Sequence, residues 1–230
     1  MTHAPYKTAL IVGAGQGLSA SLARLMAGAG LRVALAARDP DKLKSLCDEI
    51  GAAAFGCDAG DQAQVVHLFE ALDGHFGSPD VVVYNASGRV RGPFATLDPE
   101  EVARALRVSA FGGFLVAQRA ATAMLAKGYG AILLTGASAS VKGYAESAPF
   151  AMGKFALRGL AQSMARELAP KGIHVAHFVI DGAIRPPGQS DPGETKLDPD
   201  AIAGTYLHVM QQPRSAWTWE VELRPWVERF

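Results

Sequence analysis

The sequence predicts an α/β fold, a doubly wound sheet of seven parallel strands in a single domain spanning residues 1–230. Three observations lead there. Short apolar runs alternate with amphipathic segments along the chain, the pattern of strand–helix–strand units. The 230 residues are 49% hydrophobic and only 19% charged, enough to bury a large core within the size of one domain. A glycine-rich turn, GAGQG from Gly13 to Gly17, joins the first apolar run to the first helical pattern.

Thr8 to Val12 is the first expected strand, and Leu18, Leu22, Leu25, Met26 and Ala29 then keep helical spacing until Gly30 supplies a stop. Arg32 to Ala36 is the second strand, with a helix over Asp41 to Ile50. Ala53 to Cys57 and Asp80 to Tyr84 are the third and fourth strands, separated by a helix over Asp61 to His75. A long helix over Pro99 to Ala126 leads into the fifth strand, Ala131 to Thr135, and a helix over Ser147 to Ala169 into the sixth, His174 to Ile180. A last helix, Pro199 to Gln211, precedes the seventh strand, Thr218 to Leu223. Arg185 to Pro199 is the only irregular stretch rich in Pro and Gly, and its place suits a lid over a site.

Charge and composition exclude several classes. With 22 basic and 22 acidic residues the net charge is zero, so no field draws the chain to nucleic acid or an anionic membrane. The longest run without Asp, Glu, Lys or Arg, Thr8 to Ala23, is too short and too glycine-broken to span a bilayer, and the same glycines argue against a leader in Met1 to Leu18. Cys47 and Cys57 form no CxxC, which points to two reduced thiols in a cytoplasmic protein. No metal is expected, since His174 and His177, three apart in a strand, point to opposite faces.

The glycine turn lets backbone N–H groups at a helix N-terminus approach a pyrophosphate. As GxGxxG the third glycine is replaced by Leu18; as GxxxGxG, Gly13 and Gly17 fit and Ser19 stands last. At the tip of the second strand, Ala37 brings no carboxylate to repel a 2′-phosphate and Arg38 can grip one with its fork, so NADP(H) is expected over NAD(H).

These stretches, together with CD at Cys57 and Asp58, YNAS at Tyr84 to Ser87, TGASAS at Thr135 to Ser140, Lys154 on a helix and DGAI at Asp181 to Ile184, resemble the short-chain dehydrogenase/reductase family over nearly the whole chain. The resemblance implies a Rossmann-type fold. It also implies a cofactor site of Gly13, Gly15, Gln16, Gly17, Leu18, Arg38, Asp58, Asn85, Ala86, Lys154, Gly182 and Ile184. Within it Asp58 meets the adenine, Asn85 and Ala86 flank the ribose, and the Ile184 backbone fixes the carboxamide.

The family's catalytic tetrad is Asn, Ser, Tyr and Lys, with Tyr four residues before Lys. Here the Lys position is Lys154, the Tyr position is Phe150, the Asn position is Ser109, and the Ser position falls on Ala137 or Ser138, with register favouring Ala137. Phenylalanine has no proton to donate, so Tyr144 and Ser138 are the alternative donors. The pattern resembles a divergent subgroup with Phe at the Tyr position.

Arg89, Arg91 and Arg185 fall on the expected substrate walls and suggest an anionic substrate such as an acyl thioester or carboxylate. The aromatic tail, Trp217, Trp219, Trp226 and Phe230, reads as core or interface, and the two longest helices as the faces of a homodimer or homotetramer. Two functions follow: an NADP(H)-dependent oxidoreductase with a degenerate tetrad, or an NADP(H)-binding pseudoenzyme serving as sensor or inactive partner.

Overall fold

The computed structural model describes residues 6–228. Seven strands form one parallel sheet in the order β3-β2-β1-β4-β5-β6-β7. They are β1 (Thr8–Val12), β2 (Arg32–Ala37), β3 (Ala53–Gly56), β4 (Val81–Tyr84), β5 (Gly130–Thr135), β6 (Ile173–Ile180) and β7 (Glu220–Leu223). The order reverses between β1 and β4, whose pairing runs from Ala9 opposite Val81 to Val12 opposite Tyr84. A crevice opens at such a reversal beyond the strand C-termini, and the chain's polar turns gather there.

Helices cover both faces because β1, β4, β5 and β6 are buried along their whole length. One apolar layer sits under α1 (Leu18–Gly28), α2 (Lys44–Ile50) and α7 (Pro199–Met210), where Leu22, Met26, Tyr206 and Val209 pack on alternate strand residues such as Ile11 and Phe178. The other sits under α3 (Gln62–His75), α5 (Gly112–Lys127) and α6 (Ala148–Leu168), with Leu72, Val116, Ala120 and Leu157 against Leu10, Val82 and Ile132. Asp61 caps α3 by accepting from the N–H groups of Ala63 and Gln64.

Two expected elements are built differently. The segment expected as one helix from Asp41 begins as a 3-10 turn, Pro40–Leu43, before α2. The long helix expected from Pro99 is α4 (Pro99–Leu106), a π turn (Arg107–Phe111) and α5. The cause of the π turn is a contact with β4. The Tyr84 hydroxyl donates to the Val108 carbonyl, and a Cβ on Gly112 would stand 2.4 Å from the Ala59 carbonyl oxygen, so the helix is pressed onto β4 and takes an extra residue per turn. By length and composition the continuous 29-residue helix could cross a membrane. Arg107 and Arg119 interrupt its apolar stretch, and in this fold it is a core helix, with Val116, Ala117, Ala120 and Met124 buried.

The aromatic tail does not cluster. Trp217 stacks on His174 at 4.6 Å, Trp219 lies 5.8 Å from the Arg158 guanidinium, and Trp226 is 78% exposed and donates to the Gly193 carbonyl. Short β7 separates the first two from the third, and Phe230 lies outside the described residues.

Candidate active site

A cleft of about 790 Å³ runs over the C-terminal ends of β1, β2 and β4, lined among others by Gly13 to Gln16, Ala37 to Asp39, Lys42, Cys57 to Ala59, Asn85 to Arg89 and Val108. Its floor is the glycine turn. Gly13 sits at φ +83°, and a Cβ there would stand 2.3 Å from the Ala86 nitrogen, so only glycine lets β1 and β4 close at this point. Gly15 and Gly17 face open space within 4 Å of any added Cβ. The first turn of α1 has no acidic residue and no side-chain cap, leaving its N–H groups and positive dipole end to the cleft.

The serine that stands where a third glycine was sought has its own use. Ser19 is 2% exposed, donates to the Gly13 carbonyl at 3.1 Å and accepts from Asn85 Nδ2 at 2.7 Å. It ties the glycine turn to the end of β4.

At the tip of β2, Arg38 is exposed in the cleft beside Ala37, and among the described residues no carboxylate pairs with it. Asp39, the nearest acid in sequence, is taken by Lys42 at 3.0 Å. Asp58 also lines the cleft and is oriented by accepting from the Gly60 N–H at 2.9 Å. Opposite, Leu197 N–H donates to Ala183 and Arg185 N–H to Leu197, so the Ile184 peptide groups between them point away from that bridge. Gly182, at φ +147°, packs against Pro225, and Asp181 beside it is buried between Lys142 and Arg224, each 3.2 Å away. These residues fit a dinucleotide: an uncapped helix N-terminus for a pyrophosphate, a free guanidinium for a 2′-phosphate and a carboxylate beside an adenine-sized space.

Lys154 is 3% exposed, and its Nζ donates to the Thr135 carbonyl at 2.7 Å. Burial, and secondarily the nearby positive charge of Arg89, pushes its pKa down to about 8. Phe150, one helical turn earlier, is also buried; its ring centroid is 5.8 Å from Lys154 Nζ and 4.5 Å from the Arg89 guanidinium carbon. Ser109 is fully buried in the π turn, accepts from the Gly88 N–H at 2.9 Å and returns a bond to the Gly88 carbonyl at 3.3 Å.

Ala137 and Ser138, both half-buried, begin the 3-10 turn after β5. Ser140 closes that turn by accepting from the Ala137 N–H at 3.1 Å. The Ser140 hydroxyl meets His177 Nε2 at 3.3 Å, His177 Nδ1 donates to Glu220 at 3.0 Å, and Glu220 holds Arg158 in a fork at 2.6 and 2.7 Å. Since a carboxylate only accepts, Nδ1 carries the proton and Nε2 is left to accept from Ser140. Burial pushes the His177 pKa down to about 4, so at neutral pH its link to Glu220 is a hydrogen bond from a neutral ring, not an ion pair. The spacing of β6 gave no sign of this chain, because its partners come from β5's turn and from β7.

Tyr144 is 49% exposed, with the Lys142 ammonium 5.9 Å from its ring, and does not line the cleft. The three arginines expected to converge do not. Arg89 and Arg91 line a second cavity of about 900 Å³ that continues the first, whereas Arg185 is bound to Asp198 at 2.9 Å and lines a separate cavity with Trp226. The reason is the bridge between Ile184 and Leu197, which folds the Arg185–Pro199 stretch onto itself.

Residues 7–191 match the family model for short chain dehydrogenases. The chain is 33% identical to trans-4-hydroxycyclohexanecarboxylate dehydrogenase of Sinomonas cyclohexanicum over 79% of its own length and 73% of that protein. A short-chain dehydrogenase from Rhodopseudomonas palustris superposes with a TM-score of 0.83 at 36% identity, covering 96% of this chain and 99% of that one. A metagenomic short-chain oxidoreductase in complex with NADP superposes with a TM-score of 0.85 at 28% identity, covering 96% and 98%. With its sheet order, glycine turn and buried Lys154 matching so broad a likeness, the chain belongs to the short-chain dehydrogenase/reductase family.

Proposed function

We propose that the protein is an NADP(H)-dependent oxidoreductase that works with a degenerate tetrad on a small molecule carrying an anionic group. The observation that carries the reading is Lys154, a buried ammonium held by one backbone carbonyl at the end of β5, at a cost in burial that a solvated lysine would not bear. Bound in the cleft, the cofactor supplies or accepts a hydride. The chain's own residues do the rest. Arg38 holds the 2′-phosphate, the N–H groups of the glycine turn and α1 hold the pyrophosphate, and Asn85 and Lys154 meet the ribose. Lys154, with its pKa near 8, can also hold or release a proton at Nζ close to neutral pH. The name of the Sinomonas relative describes a hydroxy acid, which agrees with an anionic substrate beside Arg89 and Arg91.

A second reading, a cofactor-binding protein without turnover, is favoured by two features: Phe150 lacks a hydroxyl and Ser109 is occupied with Gly88. NADPH oxidation that disappears in Lys154→Ala separates the two, because a sensor shows no turnover in either protein.

A further inference from the structure

Two of the family's lost tetrad positions converge on one residue. Phe150 lies with its ring 4.5 Å beneath the Arg89 guanidinium, and Ser109 pins both backbone groups of Gly88, the residue before Arg89. The first departure gives the guanidinium a flat platform, and the second fixes the loop that carries it. Stacking restrains the plane of a guanidinium and leaves its edge N–H donors free. Among the described residues, no carboxylate pairs with Arg89 or with Lys154, so two cations flank one ring without a counter-charge. Arg89 is exposed at the junction of the cofactor cleft and the second cavity, where a ligand can reach it.

We propose that Arg89, held on Phe150, is the substrate-recognition residue of this site and takes a carboxylate in its guanidinium fork, so that the substrates are hydroxy and oxo acids. The inference rests on the oxidoreductase reading for the meaning of "substrate", but not for the binding itself. A carboxylate matches the fork with two parallel hydrogen bonds and neutralises the charge that Arg89 and Lys154 now share. A ring at position 150 serves this purpose without a hydroxyl.

The test is calorimetric titration of the NADP⁺-bound protein with a set of 2-, 3- and 4-oxo acids, each paired with its methyl ester. At least one acid is expected to bind about 10- to 100-fold more tightly than its ester. Arg89→Gln should erase that difference and Arg89→Lys restore part of it, since lysine keeps the charge and loses the fork. Phe150→Leu should shrink the difference by removing the platform. Acids and esters binding alike, or a preference that survives Arg89→Gln, would overturn the proposal. So would loss of NADP⁺ affinity in parallel with loss of the acid, which would assign Arg89 to a cofactor phosphate. If NADP⁺ itself does not bind, the oxidoreductase reading fails, and the same titration of the free protein still decides the role of Arg89.

Discussion

Lys154 reaches from α6 to the last carbonyl of β5, placing Nζ 2.7 Å from the Thr135 oxygen with almost no exposure. A helix residue and a strand end are thereby locked beside Phe150, whose ring lies 5.8 Å from Lys154 Nζ. Lysine is seldom buried without a charged partner, and here burial with a second cation nearby brings its pKa to about 8. On the proposed function, the ammonium meets the cofactor ribose and can exchange a proton near neutral pH.

The unpaired Arg38 predicts the cofactor. NADPH should bind more tightly than NADH in calorimetric titration. Arg38→Ala should remove about 10- to 100-fold of NADPH affinity and little of NADH affinity, the range for one charge-assisted hydrogen-bond set. Equal affinities for both cofactors in the wild type contradict the assignment.

Phe150 predicts poor reduction of simple aldehydes and ketones, because a positioned general acid contributes about 10²- to 10⁴-fold in rate. Phe150→Tyr places a hydroxyl one turn before Lys154 and should return part of that factor, with Ala137→Ser added doing better. Steady-state NADPH oxidation across a carbonyl panel reads both variants. Robust wild-type turnover that falls in Phe150→Tyr would mean the site uses another acid.

The Ser140–His177–Glu220 chain predicts acid sensitivity. His177 has a folded pKa near 4, below its ordinary 6.5, so the unfolded chain takes up the proton first and stability falls as pH drops from about 6.5 to 4. The full effect over that window is at most about 3.4 kcal/mol. Glu220, held low mainly by Arg158, adds in the same direction as pH falls further. Urea denaturation between pH 7 and 4.5 measures it, and His177→Gln should flatten the slope. A wild type equally stable across that range contradicts this account.

Phe111, Phe114 and Leu125 along the π turn and α5, with Met152 and Phe155 on α6, are exposed apolar residues on the two longest helices. They predict a homodimer or homotetramer. Light scattering at micromolar concentration should give a multiple of 24.1 kDa, and the monomer mass itself would contradict the prediction.

All seven strands were legible, with ends moved by at most two residues, and β1, β4, β5 and β6 most clearly because buried parallel strands read as apolar runs. The π turn was not, because its cause is the Tyr84 hydroxyl, distant in sequence. The glycine turn and Arg38 could be found from local order. Arg89 was visible only as one of three loop arginines, and its place over Phe150 depends on how Ser109 anchors Gly88 across 21 positions. The Ser140–His177–Glu220 chain joins three elements, and neither histidine spacing nor motif could show it.

The most direct measurement is single-turnover oxidation of bound NADPH by an oxo acid, followed at the nicotinamide absorbance, for the wild type and Lys154→Ala. The account predicts oxidation in the wild type that falls as pH rises through about 8, because the reduction takes up a proton and the protonated Lys154 is the form that can release one, and its loss by at least about 100-fold in Lys154→Ala at saturating NADPH. Oxidation at the same rate in both proteins, or none in the wild type with any oxo acid, would contradict it.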